Sequence, residues 1–153
     1  MKTALYSILF LVLNFGALAL GAWLMNSGPT SAWYQNLNKA PWTPPGWVFG
    51  VAWSLIMLCF SVFMTRLVLL KSSLKIALLF GLQWGLNVSW NFLFFNQHEV
   101  VYGLVVLFGL ASIITYFMVS CTTTMKNYRF FIVPYFLWLL VAISLNSYVL
   151  FYN

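Results

Sequence analysis

The chain has 153 residues, 63% of them hydrophobic and 5% charged, with a formal net charge of +6. At a mean hydropathy of +0.94 it has too few charges to coat a soluble globule, which makes it an integral membrane protein. The same scarcity excludes much chemistry. One acid, Glu99, allows no carboxylate pair and no acid-supported Ser–His triad. A single His98, with Cys59 and Cys121 on separate segments, gives no zinc-type ligand spacing, and no glycine-rich phosphate loop appears.

Five apolar segments are long enough to cross a bilayer as helices, at about 4–25, 46–69, 74–95, 100–121 and 130–151. Barrel strands would be about half that length and would alternate. The expected fold is therefore an all-α integral membrane protein, a five-transmembrane-helix bundle forming one domain over 1–153. A long structured loop, about 26–45, joins the first two helices.

The first segment, MKTALYSILFLVLNFGALALGA, has the basic start, apolar run and small residues of a secretory signal, with a cleavage site near Gly21 as the alternative. Its apolar run is long for a signal, and its removal would leave four spans, so a retained helix is expected. Next comes WYQNLNKAPWTPPGWVFGVAW, Trp33 to Trp53, with four of the eight tryptophans and three of the five prolines. Pro41, Pro44 and Pro45 fix φ and remove donors, so this stretch reads as a stiff aromatic lid that gives way to helix after Pro45.

Lysine and arginine divide unequally. Lys2, Arg66, Lys71, Lys75, Lys126 and Arg129 fall on the side of the N-terminus, and only Lys39 on the other. Positive residues stay inside, which predicts the N-terminus in, with the lid and the C-terminus out. All-helical spans point to a bacterial cytoplasmic membrane.

The third span carries two stripes. Ala77, Gly81, Gly85 and Ser89 recur every four residues as a smooth face, suited either to contact within the bundle or to a second protomer. Gln83, Asn87 and Asn91 form an amide row on roughly the opposite side, suited to interhelical hydrogen bonds or to a ligand. On the fifth span Trp138, Ala142 and Asn146 share one face. Trp53 and Trp138 could donate indole N–H groups to a ligand or serve as packing and belt residues. Together, the lid, amide row and Trp/Ala/Asn line describe an apolar aromatic cavity with few polar points. His98 reads as a turn residue, with axial haem ligation the alternative, and the cysteines as small buried hydrophobes.

These residues carry a resemblance. WY-x-x-L-x-K (Trp33–Lys39), W-T-P-P (Trp42–Pro45), F-G-x-x-W (Phe49–Trp53), Q-x-x-x-N-x-x-W-x-x-x-F-F (Gln83–Phe95) and P-Y-x-x-W-x-x-x-A-x-x-x-N (Pro134–Asn146) are similar to the TspO family. Its members are called tryptophan-rich sensory proteins in bacteria and translocator protein or peripheral benzodiazepine receptor in mitochondria. The resemblance implies five transmembrane helices, a homodimer, and a pocket under the first loop for tetrapyrroles such as protoporphyrin IX or haem and for benzodiazepine-type synthetic ligands. It implies no obligatory cofactor, no metal and no nucleic-acid partner. Carried over by position, the pocket would use Tyr34, Trp42, Pro44, Phe49, Trp53, Gln83, Asn87, Trp90, Trp138 and Ala142. Lys39 could meet a propionate or snorkel at the interface.

Three positions depart from the family pattern. Ala40 separates Lys39 from Pro41, so the lid's local turn is expected to differ. Asn91 stands where many relatives have proline, which predicts a straighter third helix. No basic residue follows Tyr148, which speaks against the family's steroid motif. The expected function is a membrane receptor or carrier that regulates or transports tetrapyrroles. The alternatives are light- and oxygen-dependent porphyrin degradation with Trp53 and Trp138 as redox-active rings, or a lipid or sterol carrier or scaffold.

Overall fold

The computed structural model describes residues 1–121 and 125–153. Among these there is no strand. Six α-helices run in order: α1 Lys2–Leu24, α2 Ala32–Asn36, α3 Gly46–Leu70, α4 Leu74–Asn91, α5 Val100–Ser120 and α6 Val133–Tyr152. The extra helix relative to expectation is α2, which lies inside the loop between the first two long helices. It forms there because Ser31 caps it, its Oγ accepting from the Tyr34 amide at 3.2 Å. A 3₁₀ turn at Gly28–Thr30 precedes it, and the proline-rich remainder of the loop stays extended or turned.

Four segments are long and apolar enough to cross a membrane: Lys2–Thr30, Gly46–Leu70, Val100–Ser120 and Lys126–Tyr152. The helix α4 forms where the third span was expected but is not among them. Its 18 residues include the amide row, and Gln83 and Asn87 are buried inside the bundle at 1% and 3% exposure. A helix that spends polar side chains on an interior face reads as less apolar than its surroundings make it.

The third span continues through Phe95, as expected, but in a different helical form. At Asn91 the backbone widens into a π-helical turn, Phe92–Asn96, closed by the Gln97 amide donating to the Phe92 carbonyl at 3.0 Å. Such a turn shifts the helical phase of the residues it contains. Here Phe94 packs into the core while Phe95 reaches a cavity wall.

The long helices close into a ring in which α1 touches α3 and α4, α5 bridges α4 and α6, and α6 returns to α3. A few polar bonds set the register. Asn14 Nδ2 donates to Ser61 Oγ at 2.8 Å, the Trp84 indole donates to the Leu13 carbonyl at 2.8 Å, and Gln83 Nε2 donates to Tyr135 Oη at 2.8 Å. The core is solid at the end away from the lid. Phe60 there is fully buried and lies between Phe63, Phe80 and Tyr135, with ring centroids at 6.2, 6.2 and 5.2 Å.

Outside, an apolar surface including Leu5, Val12, Leu55, Leu78, Val105 and Leu137 is exposed, as lipid requires and water would not tolerate. The basic residues gather at the lid-distal end. Arg66 lies over the Tyr128 ring at 5.1 Å and Lys75 over Tyr116 at 4.5 Å. The small-residue stripe on α4 also faces outward. Ala77, Gly81 and Gly85 are exposed, and a Cβ on either glycine would meet no atom within 4 Å. Ser89, the last residue of the stripe, is half-buried.

Candidate functional site: a capped aromatic cavity

A cavity of ≈ 500 Å³ lies beneath the lid, between α1, α3 and α4. Its size falls within the usual range for small-molecule sites, roughly 300–1,000 Å³. Its ring wall is Tyr34, Phe49, Trp53, Trp90 and Phe95. Trp53 stacks on Trp90 at 6.2 Å and 27°, and Tyr34 meets Phe95 at 5.2 Å. The two indoles, one from α3 and one from α4, are stacked one over the other. Lys39 also lines the cavity, its Nζ 4.8 Å from the centroid of Tyr34. Burial pushes the Tyr34 phenol above its ordinary pKa, so at neutral pH it remains a neutral donor.

Polar atoms are few and in part unpaired. Among the described residues, Asn87 Oδ1 and Trp90 Nε1 are buried without a hydrogen-bond partner, and both residues line the cavity. A buried donor or acceptor left unsatisfied costs about 1–3 kcal/mol. One acceptor and one donor thus lie unpaired just behind the cavity surface. Gln83 Oε1 and Asn146 Oδ1 are similarly unpaired but do not reach the cavity.

The fold divides the residues carried over from the family pattern. Tyr34, Pro44, Phe49, Trp53, Asn87 and Trp90 line the cavity. Gln83 lies deeper, bonded to Tyr135. Trp42 is 56% exposed; its indole donates to Ser144 Oγ at 3.2 Å and its ring sits edge-on to Tyr148 at 5.5 Å. It pins the lid to α6 rather than facing inward. Trp138 lies edge-on to Phe49 at 5.5 Å and borders a separate apolar groove of ≈ 230 Å³ between α3 and α6. Ala142 is buried against other side chains. The line Trp138, Ala142, Asn146 is therefore a face of α6 that does not reach this cavity.

The fourth wall was not legible from those motifs: Ala17, Leu18, Ala22 and Met25 of α1. A signal for the α3 side was present, since Gly46, Gly50 and Ser54 recur every four residues and all line the cavity.

The lid is held down at both edges. Trp33 stacks on His98 at 4.2 Å and 19°, which gives His98 a defined place at φ +57. At the other edge the Asn38 amide donates to Asn153 Oδ1 at 2.8 Å, and Asn153 Nδ2 donates back to the Asn38 carbonyl at 3.2 Å. Ala40, the residue that separates Lys39 from Pro41, is buried. Its carbonyl accepts from the Thr43 amide at 2.9 Å and the Thr43 hydroxyl at 2.7 Å, making the turn into Pro44.

Fold and cavity together define an all-helical membrane protein with an aromatic chamber under a pinned lid. The chain belongs to the TspO/MBR family, whose profile matches residues 7–152. It is 32% identical over 121 residues to "Protein CrtK" of Rhodobacter capsulatus, covering 75% of this chain and 74% of that one. It is 32% identical over 119 residues to the "Tryptophan-rich sensory protein" of Cereibacter sphaeroides, covering 74% and 72%. It is 31% identical over 121 residues to the "Tryptophan-rich protein TspO" of Archaeoglobus fulgidus, covering 74% and 75%.

Proposed function

We propose that the cavity binds a flat, mainly apolar tetrapyrrole such as protoporphyrin IX, and that the protein senses or carries this ligand. The observation that supports this most is the wall itself. Two stacked indoles and three further rings surround a space of ≈ 500 Å³, with one unpaired acceptor and one unpaired donor buried just behind its surface. Each ring-on-ring contact contributes about 0.5–1.5 kcal/mol beyond burial, and Lys39 is the cation available to a ligand carboxylate. In this reading α4, about 27 Å long at 1.5 Å per residue, is the fifth span. The basic end faces the cytoplasm, the lid faces outward from a bacterial cytoplasmic membrane, and the small face of α4 meets a second copy.

Titration with protoporphyrin IX, followed by tryptophan fluorescence quenching, tests the reading. The parent and Trp138→Phe should bind alike, while Trp53→Ala should bind about tenfold or more weakly. Equal affinity in all three would rule out this cavity as the site. A second reading, porphyrin breakdown under light and oxygen, draws support from the buried Trp53–Trp90 stack as an oxidisable pair. Bleaching of bound porphyrin at the same rate in the parent and in Trp53→Phe would remove it.

A further inference from the structure

The cavity is not walled on every side, and the gap lies between α1 and α3. The Asn14–Ser61 bond sets the antiparallel register of these helices. At about 1.5 Å per residue, Ala22 stands level with Trp53, and Met25 with Gly50. From that bond toward the lid, α3 presents Ser54, Gly50 and Gly46, and a Cβ on either glycine would meet no atom within 4 Å. Ala22, Gly46 and Gly50 line the cavity and are exposed. For want of side chains the two helices leave a gap there at side-chain level, and the wall is thin. Above the gap Gln35 Nε2 donates to the Pro29 carbonyl at 2.5 Å, forming a lintel.

Two features indicate what passes through. Trp23 and Trp47, the sequence neighbours of Ala22 and Gly46, are 76% and 71% exposed. Exposed tryptophans at the ends of membrane helices occupy the headgroup layer, so the gap opens at that depth and not into bulk water. Behind it stand the buried, unpaired Asn87 Oδ1 and Trp90 Nε1, while the lid above is fastened at Trp33 and at Asn38.

We propose that this gap is a lateral portal through which an amphipathic, bilayer-dissolved ligand slides from the headgroup layer of one leaflet into the cavity. The proposal rests on the reading of the cavity as a binding chamber and adds the state of the ligand: it is taken from lipid, not from water. Its apolar body enters between α1 and α3 while its charged edge remains near Lys39.

The test uses the full chain in phospholipid vesicles. With Cys59 and Cys121 replaced by alanine, Ser54→Cys puts a thiol on the cavity wall. A membrane-dissolved alkyl maleimide should label it faster than a charged, membrane-impermeant one. Adding Gly50→Phe, or Ala22→Phe from the opposite side, should suppress that labelling. In parallel, protoporphyrin IX dissolved in the vesicles is mixed with each protein and tryptophan quenching is followed. In the plugged variants association and dissociation should slow together, about tenfold, whereas simple damage to a binding wall would speed dissociation.

Labelling that neither plug slows overturns the portal, as does faster labelling by the impermeant reagent that Asn153→Ala accelerates further. If the parent fails to bind porphyrin while the labelling pattern holds, the tetrapyrrole reading falls and the portal stands. If porphyrin binds and the plugs change neither rate, the portal falls and the chamber stands.

Discussion

The two ends of the bundle are built differently from the same residue types. At the basic end Phe60, Phe63, Met64, Leu67, Ile114 and Phe117 are fully buried, with the Phe63 ring packed against Phe60 and Phe117. At the lid end the rings of Phe49, Trp53, Trp90 and Phe95 stand around a space, and two of the buried unpaired polar atoms belong to residues that line it. Tight packing at one end supplies the stability that a hollow, polar-studded end gives up. Rigid rings keep the hollow from collapsing, since Trp and Phe have few rotatable bonds to fill it with.

The largest effect should come from damaging the solid end. Phe60→Ala removes a ring in contact with three others and should destabilise the protein by about 3–5 kcal/mol, read as a large drop in the detergent melting temperature. A drop no greater than that of Trp53→Phe would erase the contrast between the ends. The opposite sign is expected at the hollow end. Asn87→Leu replaces an amide whose oxygen is buried and unpaired with an apolar side chain of similar volume, so stability should stay level or rise by about 1 kcal/mol. Protoporphyrin IX binding should weaken about tenfold in the same variant. Loss of stability there would mean that Asn87 serves the scaffold. The smallest effect belongs to the lid edge. Asn153→Ala breaks the reciprocal clasp with Asn38 at a solvent-exposed site and should lower stability by about 0.5–1 kcal/mol. Amide hydrogen exchange should rise in 37–42 and stay unchanged in the core of α3; exchange rising along α3 would tie the lid to the solid end.

Much of this was readable before any coordinates. Local stiffness from Pro41, Pro44 and Pro45 marked the lid, and its helical segment α2 followed from a single Ser31 cap that the aromatic pattern obscured. The same motifs pointed to Trp53 and Trp138 together, yet only Trp53 meets the cavity. Both are tryptophans with a small or amide residue one or two turns away, and nothing in that spacing tells which way each helix is turned. The π turn at Phe92–Asn96 was hidden for a related reason. It sets Phe95 at the wall through a backbone change that no residue type announces.

The sequence alone determined the membrane class, the helical spans apart from α4, the gathering of positive charge at one end, the family, and which side chains share a face of each helix. These depend on composition and on the 3.6-residue period, both local properties of the chain. Only the tertiary structure decided that the cavity lies against α1 rather than α6, that Trp42 is a pin and Trp138 a groove residue, and that Gly46 and Gly50 line the cavity. Periodicity places residues on one side of a helix. How far that helix is rotated, and which neighbour it meets, depends on the packing of every other helix around it.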